Sequence, residues 1–285
     1  MTNKKQEKFA NPWREIAKHW EKIKYPARPS KKNVRDYKRF LDEVILKKKN
    51  PRILVFGATP ELRDILAQYH NIEITVVDFN MEMILAMTKL MKYKEKTSKE
   101  TWVKSDWLKV PLKENYYDVL LGDCLLQNVP RLKQLFFLEK CHKFLKKGGY
   151  FITKIGAKYP GAKVYEFKNL LKEYLQKDSN LKSFNDFWSI ALFCSNIGKN
   201  HRTGIKLLLK ELQKYIQNSK IKKLYEKVRK TFPKDKEWTY LDWEKDKWMI
   251  EKYFILKDMA NEPKKAKGYY WVRILKLKKK LIITK

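Results

Sequence analysis

Four short stretches of this 285-residue chain carry residue types whose spacing suits a nucleoside-bearing ligand. The first, Leu54-Val55-Phe56-Gly57-Ala58-Thr59-Pro60-Glu61, is an apolar run that ends at a glycine. A glycine there lets backbone approach a ligand closely, because no Cβ intrudes. Thr59 is a good N-cap and Pro60 a good first helical residue, so a helix should start sharply, its free N–H groups toward a pocket. An ordinary strand-to-helix turn would use the same residues. The second stretch, Val76-Val77-Asp78-Phe79, ends in a carboxylate about 20 residues past the glycine, where an acid can accept hydrogen bonds from ribose hydroxyls. The third is Ser105-Asp106-Trp107. Its acid can accept from an exocyclic adenine amine, and its indole offers a flat apolar wall. The fourth, Leu120-Leu121-Gly122-Asp123-Cys124, places an acid that can hold a cationic amino group or take a proton. Cys124 has no adjacent histidine and lies in an apolar stretch, so it reads as a small buried hydrophobe rather than a nucleophile.

Other chemistries lack their residues. His19, His70, His142 and His201 are scattered, with no metal-ligand spacing between them. Cys124, Cys141 and Cys194 form no CxxC pair, and reduced thiols in a cytoplasmic protein are expected. Gly57 is not followed by the Gly-Lys-Ser/Thr of a P-loop. No side chain is singled out as catalytic.

The elements that must carry these stretches follow from the hydrophobic rhythm. From Arg52 to Ile155, short apolar runs alternate with helical stretches, including a helix over Met81–Tyr93, one through Leu132–Leu145, and Gly148-Gly149 as a helix stop before a strand. Such alternation means βαβ units, a mostly parallel doubly wound sheet and right-handed crossovers. In such sheets ligands bind beyond the carboxyl ends of the strands. Residues 1–48 form an N-terminal helical arm, with Asn11-Pro12 starting one helix and Ser30 capping another. Residues 49–156 form the core and residues 157–250 a helical insertion, with helices over 163–176 and 203–230. Residues 251–285 supply two closing antiparallel strands. Trp238, Trp243 and Trp248 are read as packing residues.

The formal charge of +33 raises the question of a polyanionic partner. Only 10 of the 65 Lys and Arg residues are arginine, whereas bidentate phosphate and guanine contacts favour arginine, so compositional bias is the preferred explanation. No apolar run is long enough to cross a membrane, and none is expected to bind one.

The run from Ile53 to Ile155 resembles the class I S-adenosylmethionine-dependent methyltransferases. The matching pieces are LVFGATPEL, VVDFN, SDWLKVPL, DVLLGDCLLQNV and FLKKGGYFITK. The arm with Pro26-Ala27-Arg28-Pro29-Ser30 looks like that of a subgroup with a Gly-x-Thr-Pro-Glu first loop. The resemblance implies a Rossmann-like fold and S-adenosylmethionine as cofactor. It places Phe56 to Pro60 at the methionine moiety, Asp78 with Phe79 at the ribose, Asp106 and Trp107 at adenine, and Asp123 with Cys124 near the amino-acid end. The arm and insertion would shape the acceptor cavity, with Trp13 and Arg28 as candidates. The loop departs from the common pattern, which carries an acid and several glycines. No Asn/Asp-Pro-Pro-aromatic tetrapeptide and no Pro-Cys pair occurs, which lowers methylation of nucleobase amines or of pyrimidine C5. A small-molecule acceptor is expected. The alternatives are a nucleic-acid-binding protein or RNA methyltransferase using the lysine-rich faces, and a nicotinamide-dependent oxidoreductase. The last lacks the second and third glycines of its fingerprint.

Overall fold

The computed structural model describes residues 20–22, 27–161, 163–176, 184–198, 201–260 and 272–281; Trp13 and the rest of the helix expected from Asn11 through Trp20, apart from Trp20 itself, lie outside them. Helix α1 (Lys31–Ile45) starts where its cap predicts. The Ser30 hydroxyl accepts from the Asn33 N–H, and the Asn33 side chain accepts from the Ser30 N–H, satisfying two end groups at once. Its apolar stripe, Tyr37, Phe40, Leu41, Val44 and Ile45, is buried.

The alternating rhythm yields β1 (Arg52–Phe56), α2 (Pro60–Leu66), β2 (Glu73–Asp78), α3 (Met81–Lys89), β3 (Glu100–Lys104), β4 (Tyr117–Gly122), α4 (Leu125–Asn128), α5 (Gln134–Phe144) and β5 (Leu145–Lys158). These strands pair in parallel in the order β3-β2-β1-β4-β5. The chain winds outward from β1 to β3, then returns to β4 on the other side, so the crossover direction reverses between β1 and β4. A crevice at their carboxyl ends is the place such a sheet offers a ligand. Period-two alternation divides the two cores. Ile53 and Val55 pack with α1, α2 and α3 on one face, whereas Leu54 and Phe56 pack with α4 and α5 on the other.

The closing strands β9 (Phe254–Ala260) and β10 (Val272–Lys279) are antiparallel, β10 lying between β5 and β9. The region between β5 and β9 builds its own core from α6 (Phe167–Leu175), α7 (Phe184–Phe193), α8 (Ile205–Gln213) and α9 (Ser219–Thr231). It also contains β6 (Arg202–Gly204) paired with β7 (Glu237–Thr239), the two-residue β8 (Leu241–Asp242) beside β5, and α10 (Trp243–Glu251). Trp238 is buried in this core and Trp243 packs on Tyr159, but Trp248 is 52% exposed.

Several helix limits differ from the periodicity, for local reasons. The helix expected over Met81–Tyr93 ends at Lys89, because the Asp64 carboxylate accepts from the Lys92 and Tyr93 N–H groups and draws the chain aside. The stretch 203–230 is not one helix: residues 202–204 pair as β6, and Asn218 caps a fresh helix through the Lys220 and Ile221 N–H groups. The helix expected from 163 begins at Phe167, whose N–H is held by the Asn196 side chain. Helix α5 stops at Phe144, ahead of Gly148, whose φ of +76° turns the chain inside β5.

One buried ion pair ties the β3 edge to the helical layer. Arg63 of α2 is 0% exposed and Glu100 of β3 2%, joined by contacts of 3.0 and 2.6 Å. The Thr88 hydroxyl and the Trp102 indole N–H complete their hydrogen bonding. Arg63→Met leaves Glu100 charged and buried, so chemical denaturation should show a loss of about 3–5 kcal/mol. A loss below about 1 kcal/mol, the range of surface pairs, would contradict the burial.

Candidate active site

The sheet order turns four distant stretches into a row. Reading across the carboxyl ends of β3, β2, β1 and β4, one meets Asp106-Trp107, Asp78, Gly57 and Asp123.

Gly57 has φ +80°, a conformation costly for any residue with a Cβ. Its N–H donates to the Val77 carbonyl at 2.9 Å, and the Trp107 indole N–H reaches the same oxygen at 3.0 Å. A methyl group on Gly57 would stand 3.6 Å from the Trp107 ring, so glycine leaves a shallow cradle walled by indole. Phe56 and Phe137 back that ring at centroid distances of 5.8 and 6.1 Å. Ala58 is buried in the turn. Thr59 holds the cap position, but its side chain makes no capping bond, so the sharp start of α2 belongs to Pro60 alone.

Asp78 accepts from the Asn80 N–H at 2.9 Å. Burial pushes its carboxyl up to about 6, against backbone N–H groups of Asn80, Ala58 and Phe79 that favour the charge. The contact with Ala58 fixes the acid against the glycine turn. Phe79 follows, half-buried. Asp106 spends one carboxylate oxygen on the Leu108 N–H at 2.9 Å, an Asx turn that sets the direction of Trp107.

Asp123 is more enclosed than its sequence suggests. Its side chain is 3% exposed and meets Lys154 of β5, itself 0% exposed, at 3.1 Å. The Tyr37 hydroxyl of α1 lies 2.9 Å from the same carboxylate and 3.0 Å from the Gly122 carbonyl. Burial works against the Lys154 charge, but Asp123 outweighs it and holds the lysine above its ordinary value. Cys124 adopts a left-handed φ of +54°, and burial pushes its thiol up to about 12, so it stays protonated. It is no thiolate nucleophile at neutral pH.

Arg28 is bonded through Nε to Glu61, the second residue of α2, at the same end of the sheet. The neighbouring Ala27 packs against both the sheet core and the insertion core. Sequence reasoning missed Tyr37, Glu61 and Lys154. A lysine inside the apolar run Tyr150–Ile155 was a legible signal. Tyr37 gave none, since an aromatic on an amphipathic stripe reads as core.

Residues 57–153 match a family described as a methyltransferase domain, about a third of the chain. No curated protein matches the chain. Among solved structures, a candidate zinc-dependent alcohol dehydrogenase from Rhodobacter sphaeroides superposes with a TM-score of 0.58 at 15% identity, over 99% of this chain and 100% of that one. The 1,6-didemethyltoxoflavin N1-methyltransferase of Burkholderia thailandensis, solved with 1,6-didemethyltoxoflavin and S-adenosylhomocysteine, gives 0.54 at 11% identity, over 96% and 86%. An S-adenosylmethionine-dependent methyltransferase of Methanosarcina mazei gives 0.52 at 12% identity, over 84% and 98%. Identities this low speak to the fold: a mostly parallel Rossmann-like sheet with closing antiparallel strands. Among the described residues no group of three or more His, Cys, Asp or Glu could hold a metal ion, and no helix is long and apolar enough to cross a membrane. The matched span runs from Gly57 through Asp78, Asp106 and Asp123 to Thr153, taking in the row of strand ends. The chain carries a methyltransferase domain over residues 57–153, the basis for reading it as an enzyme that uses S-adenosylmethionine.

Proposed function

We propose that this enzyme methylates a small molecule in the cytoplasm, holding its cofactor across the carboxyl ends of β3, β2, β1 and β4. The Gly57-Ala58-Thr59-Pro60-Glu61 loop supports the further reading that it belongs to a subgroup with that first turn. One observation carries the reading: an indole wall, an acid, a glycine turn at φ +80° and a second acid stand in strand order across the switch point. Trp107 and Asp106 face adenine, Asp78 takes the ribose hydroxyls, Gly57 lets the chain pass, and Asp123 lies toward the amino-acid end. The bound cofactor supplies a sulfonium-activated methyl group, so the protein need only orient an acceptor lone pair and exclude water. The insertion is suited to that covering role. Its Thr239 hydroxyl lies 2.9 Å from the Leu126 carbonyl and 2.8 Å from the Gln134 amide nitrogen, which docks it just beyond β4.

Methyl-tritiated S-adenosylmethionine supplied with a low-mass metabolite fraction, and separately with total RNA, tests the acceptor class. Label entering low-mass products supports the proposal; label entering RNA alone overturns it. The RNA reading has one observation in its favour. Helix α9 lines a shallow groove of about 490 Å³ with Lys222, Lys223, Lys227 and Lys230. It requires RNA affinity that falls steeply with salt and survives Asp78→Ala.

A further inference from the structure

Gln127, in the short helix α4 that follows β4, is 4% exposed, and neither its amide nitrogen nor its amide oxygen has a hydrogen-bond partner. An amide shut away with both ends unpaired is costly, and its retention points to a partner from outside the chain. The main chain around it is fixed. The Thr239 hydroxyl donates to the Leu126 carbonyl at 2.9 Å, the Gln134 amide to the same oxygen at 2.8 Å, and the Asn128 amide to the Cys124 carbonyl at 2.9 Å. From that anchorage the side chain lies over Gly156 of β5. A Cβ on Gly156 would stand 2.7 Å from Gln127 Nε2, closer than such atoms can come. Gly156 is not among the glycines with a left-handed φ, so what it supplies is room for the amide rather than a turn. Both partners of this contact, and all of α4 and β5, lie within the described residues.

Lys154 and Gly156 pair with Ile274 and Val272 of β10 in unbroken register, so they share a face of the sheet. The Gln127 amide therefore lies one two-residue step, about 7 Å, beyond the Asp123–Lys154 pair. The cofactor row ends at Asp123, so a molecule seated beside its reactive end, toward β5, comes against Gln127. We infer that Gln127 selects the acceptor, and that the acceptor presents an amide-type edge: a carboxamide, a lactam or a ring N–H beside a carbonyl. The inference rests on the cofactor placement and the small-molecule acceptor proposed above. A glutamine amide offers a donor and an acceptor side by side, and an edge with the complementary pair satisfies both at once. Gln127 exchanges no proton with the acceptor; it sets which molecule is held and how its lone pair faces the methyl group. The amide is enclosed in this conformation, so the acceptor reaches it once the insertion, docked on α4 through Thr239, gives way.

Two variants test this. Gln127→Met keeps the side-chain length and removes both polar atoms; Gly156→Ala drives the amide from its place. Each is compared with wild type by urea midpoint, by calorimetric titration with S-adenosylhomocysteine, and by transfer of label from methyl-tritiated S-adenosylmethionine into a low-mass metabolite fraction, the products being identified by mass spectrometry. Gln127→Met should be at least as stable as wild type, because an unpaired polar group gives way to an apolar one of similar shape. It should bind S-adenosylhomocysteine within about twofold of wild type and transfer roughly 10- to 100-fold less label, the loss expected for two neutral hydrogen bonds. Gly156→Ala should fold, since the atom it meets is the far end of a flexible side chain, and should lose label as well. Products whose labelling depends on Gln127 should carry an amide-type edge. Undiminished label in Gln127→Met, weakened S-adenosylhomocysteine binding, or products without such an edge overturn the inference and leave the cofactor placement standing. Should Gln127→Met fail to fold, full labelling by Gly156→Ala overturns it. Wild type that binds S-adenosylhomocysteine but labels nothing of low mass overturns the small-molecule reading, and the inference with it. Wild type that does not bind S-adenosylhomocysteine overturns the cofactor placement.

Discussion

Asp78→Asn should lower S-adenosylhomocysteine affinity by about 100-fold or more, while making the ligand-free protein more stable at neutral pH. In the proposed cofactor placement two ribose hydroxyls donate to this one carboxylate, and losing two charge-assisted bonds, each about twice as strong as a neutral one, gives the affinity loss. The stability gain follows from the sign of the pKa shift. Burial raises the Asp78 carboxyl to about 6, so the native state prefers the protonated form. A carboxyl raised on folding contributes fully below its unfolded value of about 3.9, and that contribution is lost as pH climbs through its folded value. Wild type therefore carries a penalty above pH 6 that the neutral amide lacks. Allowing for partial solvent access, the variant should gain about 1–2 kcal/mol at pH 7.5 and nothing near pH 4. Denaturation curves at the two pH values check the gain; a destabilised variant at pH 7.5 would contradict it. The same titration predicts that wild-type affinity for S-adenosylhomocysteine weakens as pH falls through about 6, because the neutral carboxyl becomes a poorer acceptor.

Lys154→Met should destabilise the protein by about 3–5 kcal/mol, since it strands the Asp123 carboxylate in a region closed to solvent. Tyr37 still donates one hydrogen bond but brings no charge. The pair is costly to break and cheap to replace, so Asp123→Leu combined with Lys154→Met should recover most of the loss. Urea midpoints of the single and double variants measure this. A single variant within about 1 kcal/mol of wild type would show that the two charges do not meet. The same network explains how α1, outside the matched domain, supports the site: the Tyr37 hydroxyl reaches both the Gly122 carbonyl and the Asp123 carboxylate.

The parallel sheet and the acids at its strand ends were legible because both rest on local spacing. β1 and β2 are apolar runs closed by a glycine and an acid, and the sheet rules then fix which ends are neighbours. What the chain does with those acids was not legible. Asp106 commits an oxygen to its own turn, and Asp123 is neutralised by a lysine more than thirty residues downstream. Such pairings depend on side chains from different strands and helices, which periodicity does not encode. The helix limits failed for a related reason. Asp64, Asn196 and Asn218 act on backbone N–H groups two to about thirty residues away, and each overrides an apolar period that would carry the helix further. Thr59 shows the converse, a residue of capping type in the cap position whose hydroxyl makes no cap.

The placement of the cofactor on this chain is tested most directly by titrating the wild-type protein with S-adenosylhomocysteine and, separately, with NADH. The row of Trp107, Asp78, Gly57 and Asp123 predicts binding of S-adenosylhomocysteine near the micromolar range, about −8 kcal/mol, with no measurable heat from NADH. Binding of NADH in preference to S-adenosylhomocysteine, or a folded protein that binds neither, would contradict it.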